Sequence, residues 1–206
     1  MKVVIIDYGM GNIQSIQGAL KYIGVDEILV SNQESKISKA DKIILPGVGS
    51  FTKAMQNIKN LGLDKILKTE VMVNKKPILG ICLGMQLMTK NSTEDGFNLG
   101  LNFIDGSVDK FNFNNIKIPH VGFNQVSFNN QSKLYKDLVE PCDFYFTHSY
   151  KVDINSDVTN INLSTCDYGD NFLASYEFEN IAAVQFHPEL SQTNGLQLLN
   201  NFMKNF

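Results

Sequence analysis

In the first half of the chain, short unbroken apolar runs alternate with segments of helical length, and few architectures accept that order. The runs are KVVIID (2–7), EILV (27–30), KIILPG (42–47) and PILGI (77–81). They are continuously apolar instead of alternating, as expected of strands covered on both faces in a parallel sheet. Between them lie a helix-like segment from about Ile13 to Ile23, another starting near Ser50, and a third from Leu63 to Val73. A fourth, from about Leu83 to Lys90, follows the last of these strands. The order strand–helix–strand predicts an α/β fold with a mostly parallel central sheet flanked by helices.

The second half reads differently. From Gly106 to about Phe128, β-prone residues mix with Asn-rich turns. DFYFTHSY (143–150), NINLSTCDYG (160–169), FLASYEFEN (172–180) and IAAVQFHPE (181–189) read as further strands, with a turn at Glu179-Asn180. These predict an antiparallel extension of the sheet. The end of the chain, 194–206, reads as a helix, with Leu196, Leu199 and Met203 at helical spacing. No repeat or long linker divides the chain, so residues 1–206 are expected to form one domain.

Composition narrows the function classes. With 18 basic and 21 acidic residues, the formal charge of -3 gives no electrostatic reason to expect nucleic acid or an anionic membrane as partner. No apolar run approaches the roughly 20 residues that span a bilayer. The N-terminal run is cut by Asp7 and reads as a first buried strand, not a signal peptide. Three widely spaced cysteines, Cys82, Cys142 and Cys166, form neither a disulfide framework nor a metal motif. The expectation is a reducing, cytoplasmic location with no metal and no cofactor.

One cysteine stands apart. In ILGICLGMQLM (78–88), Cys82 ends an apolar strand with Gly80 and Gly84 two residues to either side, and helical spacing resumes at once. A strand, a sharp turn bearing a nucleophile and a helix behind it make a nucleophile elbow. Small flanking residues suit the strained tip, and the N-terminus of the helix favours a thiolate while its free N–H groups can hold an oxyanion. The other reading is a small apolar residue tucked under a turn. A nucleophilic cysteine needs a base and a group to orient it. His187 ends an apolar strand in QFHPE, and Glu189 follows two residues later. Both Cys82 and His187 are placed at carboxyl ends of strands, where α/β sheets gather their sites. His120 and His148 also sit near strand ends but lack a neighbouring carboxylate, and they read as structural hydrogen-bonding residues.

The motifs, taken together, resemble one family. GICLGMQ is similar to the elbow of the class I (triad) glutamine amidotransferases, FHPE to their His/Glu element and PGVGSF (46–51) to their oxyanion loop. Within that superfamily, DYGMGN (7–12), PGVGSFTKAM (46–55), IPHVGFN (118–124) and YFTHSY (145–150) resemble the glutaminase subunits of imidazole glycerol phosphate synthases, in their order and over nearly the whole chain. The resemblance implies a flavodoxin-like glutamine amidotransferase fold and a thioester mechanism on L-glutamine. Cys82 would be the nucleophile, His187 the base and Glu189 its orienter. The oxyanion would rest on backbone N–H groups of Leu83 and of the Val48–Gly49 loop. Gln86, Glu94, Ser149 and Tyr150 match substrate-binding positions.

The resemblance also implies a partner, a (β/α)8-barrel cyclase subunit that receives the ammonia, with Asn12, Phe123, Tyr145 and Leu190 at or near the contact. Two positions depart from the family pattern: Phe123 stands where tryptophan is usual, and Leu190 where lysine is usual. These departures leave open a paralogue that feeds ammonia to a sugar-amidating synthetase in surface-glycan synthesis. An inactive binding relative is a further alternative, against which the intact Cys82, His187 and Glu189 count.

Overall fold

The strands and helices of the first half sit nearly where the apolar runs place them. A computed structural model describes residues 1–111 and 116–206. The Asn-rich turn expected between Gly106 and Phe128 falls partly on 112–115, outside the described residues. The first half comprises β1 (Lys2–Ile6), α1 (Ile13–Tyr22), β2 (Glu27–Ser31), α2 (Glu34–Ile37), β3 (Lys42–Leu45), α3 (Phe51–Asn60), α4 (Leu63–Leu67), β4 (Ile78–Ile81) and α5 (Leu83–Leu87). The helix expected over 63–73 is divided, because after Leu67 the chain continues as a wider π-helical turn over Lys68–Val73. The short α2 was not anticipated.

After α5 the chain forms two very short strands that sequence reading did not separate, β5 (Asn91–Ser92) and β6 (Asn98–Leu99). The helix expected to reach Lys90 stops at Leu87, and the Thr89 hydroxyl donates to the Gln86 carbonyl (2.8 Å) where the chain turns off. There follow β7 (Gly106–Lys110), β8 (His120–Val126), β9 (Cys142–His148), β10 (Tyr150–Ile154), β11 (Asn162–Asp167), β12 (Asn171–Phe178), β13 (Ile181–Val184) and α6 (Gln192–Asn205). The single strand expected over 143–150 is therefore two. β9 pairs with β8, and β10 joins β7 in a different sheet. The break falls at Ser149, where the His148 ring is bonded to the Tyr150 carbonyl through Nδ1 (2.8 Å) and closes the corner.

Among the described residues the central sheet has seven strands in the order β11-β12-β13-β4-β3-β1-β2. From β2 to β13 every pairing is parallel, and β12 and β11 then add antiparallel. The continuous apolar runs are thereby explained. Along β1, Val4 and Ile6 enter one core while Val3 and Ile5 enter the other, on the opposite face. Each fully buried aliphatic side chain of this kind contributes about 1.5–3 kcal/mol, so both faces favour the same register. α1 covers one face through Ile16, Ala19 and Leu20, and α3 the other through Phe51, Ala54, Met55 and Ile58.

This topology positions the site. β4 and β13 are neighbours, with Ile81 opposite Val184, and the Cys82 N–H donates to the Val184 carbonyl (2.8 Å). Two segments about a hundred residues apart thus leave the sheet side by side at their carboxyl ends. No helix among the described residues is long and apolar enough to cross a membrane.

Candidate active site

Cys82 lies on the corner between β4 and α5 with φ 53° and ψ −110°. A left-handed φ at a residue with a Cβ stores about 1–3 kcal/mol, and the surrounding packing must hold it. Gly80 and Gly84 have a different task from the one expected of them. Neither takes a left-handed φ; both are needed for close approach. A Cβ on Gly84 would stand 1.9 Å from the Leu45 carbonyl oxygen, and one on Gly80 would meet Met88 at 2.5 Å. The glycines seat the elbow tightly against β3, while the strain rests on the cysteine itself. Since α5 is only five residues long, its action on the sulfur is confined to the local N–H groups at its start, which have no intrahelical acceptors.

His187 follows β13 and is fixed from three sides. Its N–H donates to the Tyr145 carbonyl (2.8 Å), its carbonyl accepts from the Ser191 hydroxyl (2.6 Å), and its ring is joined to Glu189 Oε1 through Nδ1 (2.8 Å). Pro188 starts a single 3₁₀ turn over Pro188–Leu190, which folds Glu189 back beneath the ring. Both side chains are almost wholly withdrawn from solvent. Among the described residues, His187 Nε2 and Glu189 Oε2 have no hydrogen-bond partner. Burial by itself lowers the imidazole pKa, but the neighbouring Cys82 and the Glu189 carboxylate outweigh it and hold His187 above its ordinary value.

Asn12 belongs to this group as well. It precedes α1 but does not cap it; its side-chain amide instead donates to Glu189 Oε1 (3.3 Å). It was expected at the partner contact, and its bond to Glu189 could not be foreseen. Tyr145 likewise supports His187 through its carbonyl, while its ring packs edge-on against Phe123 at 5.5 Å. Phe123 is 46% exposed and Leu190 40%, large apolar side chains open to solvent on the same side as the His187 turn.

A cleft of about 330 Å³ opens over Cys82, and its lining includes Val48, Gly49, Leu83, Gln86, Glu94, Ser149 and Tyr150. Every residue expected to form the oxyanion hole or bind substrate is thus brought to one cleft with the cysteine. The floor of the 46–49 loop is held by Tyr8, whose hydroxyl donates to the Pro46 carbonyl (2.7 Å). Burial, assisted by Cys82, raises the Tyr8 phenol pKa and keeps it a donor. Gly49, at φ +101°, turns the loop above the elbow. At the far end, Glu94 accepts from the Phe51 N–H (2.9 Å). Burial raises the pKa of Glu94, and burial together with Glu94 and Asp95 raises that of the Tyr150 phenol. That end of the cleft thus carries the Glu94 carboxyl, with Asp95 near it.

Three contributors escaped the sequence reading. Thr147 presents its carbonyl to Cys82 Sγ at 3.9 Å, Gln185 donates its amide to the same sulfur at 3.6 Å, and Pro119 lines the cleft. Gln185 stands two residues before His187 in the quoted QFHPE motif, and period-two alternation along that strand would place both on one face. His120 and His148, read as structural, are hydrogen-bonded to each other (3.1 Å) within a cluster of aromatic rings. His148 also reaches the cleft wall. Among the described residues, no group of three or more His, Cys, Asp or Glu side chains is placed to hold a metal ion.

A cysteine on an elbow, a buried His/Glu pair beside it and a loop above it are the parts the sequence led one to expect of a class I amidotransferase, and residues 4–206 match the family model for class-I glutamine amidotransferases. The chain belongs to that family. Among curated relatives it is 49% identical to "Imidazole glycerol phosphate synthase subunit HisH 2" of Methanococcus maripaludis, over 98% of both chains. It is 43% identical to "Imidazole glycerol phosphate synthase subunit HisH" of Aquifex aeolicus, over 99% of this chain and 97% of that one. Solved structures share the fold at low identity. They include a putative GMP synthase protein from Thermoplasma acidophilum (TM-score 0.72, 21% identity, covering 98% of this chain and 92% of that one) and PurLQS from Thermotoga maritima (TM-score 0.74, 16% identity, 98% and 97%).

Proposed function

We propose that this chain is the glutaminase subunit of an imidazole glycerol phosphate synthase. It would act as a single glutamine amidotransferase domain, 1–206, in a cytoplasmic heterodimer with a cyclase. The observation that carries the reading is the approach of the buried His187–Glu189 pair to Cys82, which itself lines the cleft. The near full-length similarity to the Methanococcus and Aquifex subunits supports the choice of pathway.

The proposed reaction follows from the atoms present. His187 takes the thiol proton at Nε2, the ring atom that has no other partner. The Cys82 thiolate attacks the side-chain carbonyl carbon of L-glutamine, and the carbonyl electrons move to oxygen. That oxyanion is held by N–H groups of Leu83 and of the Val48–Gly49 loop. His187 returns its proton to the amide nitrogen, which leaves as ammonia, and a γ-glutamyl thioester remains. Water then attacks the thioester, with His187 accepting its proton and passing it to the departing sulfur, which yields glutamate. Glu189 stabilises the imidazolium at each stage. Glu94, Ser149 and Tyr150 hold the amino-acid end, and Gln86 shapes the wall beside the elbow.

Ammonia released into water at neutral pH is mostly protonated and no longer nucleophilic, so a closed route to a partner is required. In this reading the (β/α)8-barrel cyclase docks over Phe123, Tyr145 and Leu190, near Asn12. The same chemistry would serve a sugar-amidating synthetase, and Leu190 favours that second reading because it is exposed and uncharged where the family usually has lysine. Cys82→Ala provides the test. The complex with the cyclase should lose glutamine-dependent synthesis entirely yet retain synthesis from added ammonium salt. Continued turnover of glutamine by the variant would remove Cys82 from its role. Failure of the wild-type chain to form an active complex with the histidine-pathway cyclase, combined with activity beside the sugar-amidating synthetase, would transfer it to the second reading.

A further inference from the structure

We infer that Gln185 is a positioning residue for the Cys82 sulfur, a hydrogen-bond donor set in place by a relay that starts at the Tyr150 carbonyl. The inference rests on the reading of Cys82 as nucleophile given above. Gln185 is 0% exposed and contributes nothing to the lining of the cleft, so it is not in position to meet substrate. Its amide Nε2 lies 3.6 Å from Cys82 Sγ, an ordinary separation for a bond to sulfur, and its Oε1 lies 3.0 Å from Gln86 Nε2.

The direction of each bond follows from one fixed acceptor. A backbone carbonyl can only accept, so the Gln86 atom 3.2 Å from the Tyr150 oxygen is nitrogen. The Gln185 atom that faces this nitrogen must then be oxygen, and the one that faces the sulfur must be nitrogen. Were either amide reversed, two acceptors or two donors would meet in a buried place. The same Tyr150 carbonyl is bonded to the ring of His148 (2.8 Å), which leaves it anchored from both sides. The corner of β10 therefore sets the polarity of an amide pair whose last N–H points at the sulfur.

That donor has a function once the thiol proton has gone to His187. As a thiol, Cys82 can also donate to the Thr147 carbonyl (3.9 Å). As a thiolate it faces that carbonyl as one negative dipole end against a charge, and the Gln185 N–H is the partner that gains. A buried hydrogen bond to an ionised group is roughly twice as strong as a neutral one. Gln185 thus holds the sulfur in place and favours its reactive form without touching the substrate.

Alkylation of Cys82 by iodoacetamide in the purified chain, followed by peptide mass spectrometry, tests the role. Cys142 and Cys166, both 1% exposed, serve as internal reporters of loosening. Gln185→Met keeps similar bulk and removes both bonds. It should slow labelling of Cys82 by about tenfold while Cys142 and Cys166 stay protected. A purely structural role would act in the opposite sense, with faster labelling at all three. An unchanged or faster Cys82 rate in a folded Gln185→Met protein overturns the proposal. If that variant unfolds, Gln86→Met decides, since it leaves the donor but removes its brace: slower Cys82 labelling supports the relay, and an unchanged rate refutes it. A wild-type Cys82 that labels no faster than Cys142 and Cys166 refutes the nucleophile reading itself, and Gln185's role with it, and that outcome is distinct from a failure of Gln185 alone.

Discussion

The molecule buries its three histidines in two places, and the two places drive them in opposite directions. His187 sits against Glu189 and Cys82 and is held above its ordinary pKa. His120 and His148 sit against each other and a cage of aromatic rings that includes Phe111, Phe146, Tyr168 and Phe172. Burial pushes them down, His120 to about 4 and His148 to about 3, the latter also by the proximity of His120 and His187. All three rings are withdrawn from water. What separates them is the company each keeps: Cys82 and the Glu189 carboxylate stand beside His187, and neither stands beside the pair. The imidazole backed by an anion can carry a proton through a reaction; the pair without one stays neutral and serves as a brace. The bonds of the pair agree with that state. His148 gives its Nδ1 proton to the Tyr150 carbonyl and accepts from His120 Nδ1, and His120 Nε2 accepts from the Asn124 amide (2.6 Å).

The strongest way to break the contrast is Glu189→Gln. The shape is kept and the anion lost, and general acid–base catalysis of this kind contributes about 10²–10⁴-fold. Glutamine turnover by the complex should fall within that range, with ammonium-dependent synthesis unchanged, as steady-state assays of both activities would reveal. The reverse experiment gives the brace an anion. Asn124→Asp places a carboxylate beside His120 Nε2, and an opposite charge at that distance raises a pKa by about 1–3 units. An NMR titration of the His120 ring should show it moving upward from about 4; a ring that stays put would mean that burial, not the missing charge, keeps it neutral.

Acid stability sharpens the comparison further. A histidine whose folded pKa is lowered cannot take up the proton that the unfolded chain accepts near pH 6.5. The unfolded state therefore binds more protons between about pH 6.5 and the folded values near 4 and 3, and stability falls as pH drops through that window. Each such ring contributes a slope of about 1.4 kcal/mol per pH unit. Denaturant unfolding followed against pH should show that slope, and His120→Gln, which removes one of the two rings, should lower it by close to one proton. The smallest effect belongs to Asn12→Ala. Its amide shares Glu189 Oε1 with His187, and loss of one such bond, worth about 1 kcal/mol, should reduce turnover only several-fold, mainly in kcat.

Much of this was legible in the residues because local rules decided it. Continuous apolar runs such as KVVIID disclose a strand with a core on each side, and β1 sends Val3 and Val4 into opposite cores. Cys82 between its glycines, and His187 two residues before Glu189, are short-range patterns whose chemistry needs those spacings. Errors arose where distant parts meet. Ser149 looked like the interior of a strand, yet the chain changes sheet there. Gly80 and Gly84 were understood as relief for a strained turn, but their need comes from the Leu45 carbonyl and Met88. Asn12 gave no sign of Glu189, which lies 177 positions away along the chain.

The sequence by itself determined which residues can do chemistry and which segments are strands, since side-chain type and apolar period act over a few residues. Only the tertiary structure decided that His187 stands beside Cys82, and which way the amides of Gln86 and Gln185 point. Those outcomes depend on the pairing of β4 with β13 and on the corner at Tyr150, where atoms far apart in the chain come within hydrogen-bonding distance among buried side chains. There a single carbonyl or carboxylate outweighs local preference, because burial leaves its field weakly screened.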